Sequence, residues 1–164
     1  MATVNNISVN QLSASIIPRN HSEFLSYICF CPSPLALFRI FVIAMAPSPL
    51  PEFVYKIVPS APPTPIPSQY PLSELDQKDG FVHLSIGTQI PITAGLFFKE
   101  ATSIWVLKIR FDPKFHSATT WEIEGCPHLY GNFGVDDVEA LKEFSRLDGQ
   151  TWKESMQDND GFLV

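Results

Sequence analysis

SIWVLKIRF, residues Ser103 to Phe111, is the stretch on which the fold turns. Its β-branched and aromatic side chains suit a pleated surface, and Lys108 and Arg110 share one face at the two-residue period of a strand. Upstream, FVYKIV (Phe53–Val58) alternates in the same way and predicts another strand, and FVHLS (Phe81–Ser85) a third. Between the first two lies PSAPPTPIPSQYP, Pro59 to Pro71. Its prolines forbid both helix and ladder hydrogen bonds, so it reads as an extended linker loop. Ser73 followed by Asp76 has capping-box spacing and predicts a short capped helical turn before Gly80.

Downstream of FVHLS, TQIPITAGLFFKEA carries Ile92, Leu96 and Phe97 near helical spacing, with Pro91 suited to a first turn. After the central strand, DPKFHSATT reads as a loop, WEIEG as a short strand and CPHLYGNFG as turn-rich. DVEALKEFSRL places Val138, Leu141 and Phe144 at helical spacing, with acids first and Lys142 and Arg146 later, and predicts a helix aligned with its dipole. The tail from Thr151 predicts a short helix ending in a hydrophobic contact. Strands and helices mix without regular βαβ alternation, so the fold class is α+β, in one domain over residues 45–164.

The bulk numbers exclude several functions. The 164-residue chain is 45% hydrophobic and 17% charged, which supplies a core and argues against disorder. Net charge is -6, and no basic cluster offers general nucleic-acid binding. Cys29 and Cys31 are too close to bridge easily and Cys126 is distant, so no disulfide framework is expected and a reducing, cytoplasmic compartment is the default. Residues 1–44 hold only Arg19, Glu23 and Arg39 as charges. The apolar run LALFRIFVIAMA, Leu35–Ala46, follows Pro32 and Pro34 and is shorter than the roughly 20 residues a membrane span needs. It lacks a basic leader, so residues 1–44 are expected to be a poorly ordered extension upstream of a start at Met45, and no membrane partner is expected.

Polar residues interrupt apolar context at His83, Ser85, Glu122, His128 and Tyr130. Alternation puts His83 and Ser85 on one face of their strand, with Val82 and Leu84 on the other. Glu122 beside Trp121 is a carboxylate placed for partial desolvation. Histidines and aromatics round one carboxylate suit a cleft for a planar or sugar-like ligand. The bland alternatives stay open: a hydrogen-bonded core histidine, a serine that caps a helix, core aromatics, a solvated edge glutamate. No GxGxxG or GxxxxGK[ST] cradles a phosphate. His83, His116, His128 and Cys126 show no recognised ligand spacing, so no metal site is expected.

The motifs SELDQKDGFVHLS, TAGLFF, IWVLKI, WE and PHLYG, in that order after VYKI, resemble the domain-of-unknown-function family 952 over about residues 53–138. The likeness departs at two places. A proline loop stands where many members have a tryptophan-bearing helix, and IEGC alone separates WE from PHLYG where many carry a basic, glycine-containing stretch. The resemblance implies an ADP-ribosyltransferase-like fold, a split mixed sheet with a few short helices that clamps an NAD-type dinucleotide. FVHLS is also similar to a segment of the RNA 2'-phosphotransferases, which use NAD. By that resemblance His83 and Ser85 bind ribose, Tyr130 stacks on the ligand beside His128, and Glu122 stabilises a cationic ribose during ADP-ribosyl-type transfer. The same pocket would also serve a non-catalytic nucleotide- or metabolite-binding module. A structural or interaction domain, with its histidines in the core, is the third expectation.

Overall fold

The computed structural model describes residues 46–164. The expectations for residues 1–44, and for the Leu35–Ala46 run up to Met45, lie outside the described residues. In chain order the elements are β1 (Phe53–Val58), α1 (Glu74–Asp79), β2 (Val82–His83), α2 (Ile90–Phe97), β3 (Ser103–Arg110), α3 (Pro113–His116), β4 (Thr119–Ile123), β5 (Cys126–Leu129), β6 (Val138–Ser145) and α4 (Trp152–Ser155). Two three-stranded sheets carry the α+β fold, one ordered β1-β3-β6 and the other β2-β5-β4. Every described ladder is antiparallel, so the expected mixed sheet is corrected to two antiparallel ones. A single bridge, Tyr55 to Ser85, ties the first sheet to the end of β2.

The alternation of β1 and β3 divides the core in two. Val54, Leu107 and Ile109 face the second sheet and pack with Val82, Leu129, Trp121 and Phe133. Tyr55, Ile104 and Val106 face the other way, against Ile90 and Ala94 of α2 and Trp152 and Met156 of α4. β3, apolar on both faces and central in its sheet, is buried on both, as its composition predicts. The tail is fastened by polar contacts as well as apolar ones. The Trp152 indole N–H donates to the Phe98 carbonyl at 2.9 Å, and the buried Tyr55 hydroxyl donates to the Phe162 carbonyl and accepts from the Val164 N–H, both at 2.9 Å.

DPKFHSATT, expected as a loop, holds α3 and the start of β4, and the turn-rich CPHLYGNFG holds β5; three further expectations change. DVEALKEFSRL is not a helix: Val138–Ser145 is the edge strand β6, paired with β3 from Ser103–Ser145 to Ile109–Val138. Its buried face carries Val138, Ala140, Lys142 and Phe144, and its outer face Glu139, Leu141 and Glu143. The three-residue spacing arises because Leu141 points outward. Lys142 takes an inner position, where its ammonium reaches the Asn159 carbonyl at 3.0 Å and lies over the Phe144 ring. α2 forms as expected but turns the opposite face inward. Ile90 and Ala94 are buried, whereas Ile92 is 55% exposed and Leu96 and Phe97 are also exposed.

The proline segment is no free linker. Tyr70 is buried and stacks on Phe133 with ring centroids 4.9 Å apart, its N–H donates to the Phe133 carbonyl at 2.7 Å, and Val135 N–H donates to the Pro67 carbonyl at 3.0 Å. Gly134 lies directly under this loop, where an added Cβ would collide with the Ser68 carbonyl. Gly134→Ala is therefore expected to cost about 1–3 kcal/mol, as overpacking does. A urea midpoint within error of the parent's would show that the loop yields instead.

Candidate functional site

The second sheet builds the site. Antiparallel pairing sets residues that face each other across strands on the same side. His83 pairs with His128, and His128 with Thr120, so the three form a row across β2, β5 and β4. Val82 and Leu129 point to the core from the opposite side. The His83 and His128 rings lie 5.5 Å apart between centroids. Phe81 stacks on His128 at 4.2 Å and leans on His83 at 4.7 Å and on Tyr130 at 5.3 Å.

Behind His83 stands a buried charge network. Asp76, in the α1 capping box, is 1% exposed. It accepts from Lys56 Nζ through both oxygens at 2.9 and 2.7 Å. It also accepts from the Ser73 N–H and hydroxyl at 3.2 and 2.6 Å, and from the His83 N–H at 3.0 Å and Nδ1 at 2.9 Å. Burial alone would raise its pKa. The His83 hydrogen bond, the Lys56 charge and the Ser73 hydroxyl override it and hold the carboxyl well below the usual carboxylate range. Burial draws the Lys56 ammonium below its ordinary value against the pull of the Asp76 charge. With six donor contacts on Asp76, the pair is ionic at neutral pH.

On the side of the rings away from Asp76 the situation is different. Among the described residues, His83 Nε2, His128 Nδ1 and Thr120 Oγ1 are buried without a hydrogen-bond partner. The carboxylates nearest to them stand at 3.4 Å, Asp79 from His83 Nε2 and Glu122 from His128 Nδ1. Burial, then the neighbouring His83, lowers the His128 pKa against Glu122, so the His128 ring is neutral at physiological pH. Orphaned buried polar atoms in a fold are a deficit that a ligand can make good.

Of the five residues singled out from the sequence, His83, His128, Glu122 and Tyr130 come together round Phe81. Ser85 does not face the ring nitrogens. It is buried, its hydroxyl 3.3 Å from Thr93 Oγ1 on α2 and in contact with the Cys126 thiol, and it caps no helix by its side chain. Glu122 is not desolvated by Trp121 either: alternation buries the indole and leaves the Glu122 side chain 61% exposed. Tyr130 is 48% exposed, free to cover a ligand. Lys56, Asp79, Phe81 and Thr120 join the site without having been expected from the sequence, and Asp76 is more than a cap. The available signal was Lys56, a lysine amid apolar neighbours in a strand. Among the described residues, no cluster of histidine, cysteine and carboxylate could hold a metal, Cys126 is a free thiol, and no helix is long and apolar enough to cross a membrane.

Residues 66–141 match the family described as protein of unknown function (DUF952). This is the family to which the ordered motifs pointed. The DUF952 match contains the histidines, both flanking carboxylates, Phe81 and Tyr130, but begins after β1, so Lys56 lies outside it. The crystal structure of protein CC0527 from Caulobacter crescentus is similar at 26% identity and a TM-score of 0.53, over 68% of this chain and 99% of that one. The solution NMR structure of CC0527 is 22% identical with a TM-score of 0.50, over 66% and 98% of the two chains, a likeness of fold alone. No curated protein matches the chain.

Proposed function

We propose that the cleft round Phe81 binds the ribosyl half of an NAD-type nucleotide and supports ADP-ribosyl-type transfer. The observation that carries this reading is the pair of unpaired ring nitrogens, His83 Nε2 and His128 Nδ1, set between the carboxylates of Asp79 and Glu122. Ring nitrogens and a threonine hydroxyl suit the vicinal hydroxyls of a sugar, and Phe81 and Tyr130 suit a flat ring. Among the described residues Asp79 and Glu122 have only histidine partners; two such carboxylates repel a phosphate but favour a cationic group, and the nicotinamide riboside half of NAD is cationic. As the glycosidic C–N bond breaks, its electron pair leaves on the nicotinamide nitrogen and the ribosyl carbon becomes positive. Glu122 is the carboxylate placed to face that charge. An acceptor hydroxyl oxygen then bonds to the same carbon and gives up its proton to solvent. The split pair of sheets accords with an ADP-ribosyltransferase-like arrangement, and that part of the reading is an analogy of fold.

The exposure of Glu122 favours a second reading, a nucleotide- or metabolite-binding module that holds its ligand without catalysis. A transition state is best stabilised where water is excluded, and here the carboxylate is wet. Thermal melts with NAD, ADP-ribose and other nucleotides test binding first. A ligand at 100 times its dissociation constant should stabilise the protein by about 2.7 kcal/mol. Release of nicotinamide from NAD then separates enzyme from binding module. Melts unmoved by any nucleotide would remove both readings.

A further inference from the structure

His83 is held by contacts that define which of its nitrogens carries the proton. Asp76 accepts from the His83 backbone N–H and from its ring, and every other approach to the carboxylate is taken by Lys56 or Ser73. A carboxylate so surrounded is a pure acceptor, and Nδ1 at 2.9 Å must be the donor. We propose that Asp76, fixed by Lys56 and Ser73, is a positioning residue that holds His83 as its Nδ1–H tautomer and so presents an accepting Nε2 on the side facing Asp79 and His128.

A neutral imidazole by itself favours the Nε2–H form, so the network inverts an intrinsic preference. The charged and titratable groups facing the ring are Asp76 and Asp79 from α1, Lys56 from β1, His128 from β5 and, beyond His128, Glu122 from β4. Lys56 compensates the charge of Asp76, and the same carboxylate orients the ring through Nδ1. The lone pair of Nε2 then stands 3.4 Å from Asp79, two acceptors with no proton between them. A ligand seated there must supply that proton, which specifies a hydroxyl or amine donor and rejects an ether or a carbonyl at the same position. The inference rests on reading this cleft as a ligand site and is independent of which ligand occupies it.

Long-range proton–nitrogen NMR on the ligand-free full chain tests it at pH 8, above the ordinary histidine range of about 6.5. His83 signals are assigned by their loss in His83→Gln. The expected pattern is a pyrrole-type Nδ1 and a pyridine-type Nε2. The reverse pattern would overturn the proposal, and so would two pyrrole-type nitrogens, which would mean an imidazolium bridging Asp76 and Asp79. In Asp76→Asn, with folding checked by the amide spectrum, the Nδ1–H form should fall from nearly the whole population to a mixture with Nε2–H. A folded Asp76→Asn that keeps Nδ1–H throughout would remove Asp76 from the positioning role. Should that variant not fold, the parent spectrum alone decides. Because no ligand is present, a failed NAD titration leaves this result standing, and a wrong tautomer leaves the NAD reading to its own test.

Discussion

Asp76→Ala should lose about 3–5 kcal/mol of folding stability, the range seen when one partner of a buried ion pair is removed. The loss comes mostly from what remains. Lys56 stays buried, with its side chain 8% exposed, facing a cavity instead of a charge. The backbone N–H groups of Ser73 and His83 lose their acceptor as well. A Lys56→Met, Asp76→Leu double variant removes the stranded charge and should recover part of the loss, but not the share owed to the two N–H groups. Urea denaturation of the parent, both single variants and the double variant gives the coupling energy. Additivity, with no recovery in the double variant, would mean that the pair is not the source of the cost. The sign of the pH dependence follows from Asp76. Its pKa in the folded state is depressed, so its contribution is complete above the unfolded carboxylate value of about 3.9 and is lost as pH falls below it. The gap between the parent and Asp76→Ala should therefore narrow on acidification from about pH 5 downward. A gap that is constant to pH 2 would contradict an ionised Asp76.

What was legible in the sequence depends on whether one periodicity accounted for a segment. β3 declares itself because a central strand covered on both faces takes apolar residues on both, and its β-branched and aromatic side chains favour a strand over a helix. The α1 cap is equally plain, since Ser73 and Asp76 satisfy each other across one turn. β6 was hidden because an edge strand has one wet face. With Leu141 outside and Lys142 inside, its apolar residues fall three apart and imitate a helix. α2 is legible as an element but not in its facing, because the small Ala94, together with Ile90, rather than the larger Ile92, Leu96 and Phe97, joins the cluster of Trp152 and Ile104. The histidine pair was legible as two separate motifs, and the β2–β5 register brings them side by side. Lys56 could not be linked to His83 from sequence: the contact runs through Asp76 from a different sheet, and no spacing rule connects them.

Glu122→Gln should lower turnover of NAD by about 10²–10³, as loss of one well-placed electrostatic group does, while leaving NAD affinity close to the parent's. Glutamine is nearly isosteric and can still meet His128 Nδ1, 3.4 Å from the present carboxylate. Only the negative charge is lost, and the ribosyl cation of the transition state needs it far more than the pyridinium ring of bound NAD does. Folding should be unaffected, within about 0.5 kcal/mol, because the side chain is exposed. His83→Ala should behave in the opposite order. Nε2 meets the sugar before and during reaction, so its loss should weaken binding first, and the fall in kcat/KM should appear mainly in KM. The pair of variants separates the roles better than either alone, since a general disturbance of the cleft would move both constants in both. Steady-state nicotinamide release and calorimetric binding decide the matter. If Glu122→Gln turns over as fast as the parent, the carboxylate does not stabilise the cation, and its place beside His128 belongs to ligand recognition. If the parent binds NAD without consuming it, the cleft is a nucleotide receptor whose exposed glutamate meets a positive ring in the ground state, and Glu122→Gln should then weaken binding.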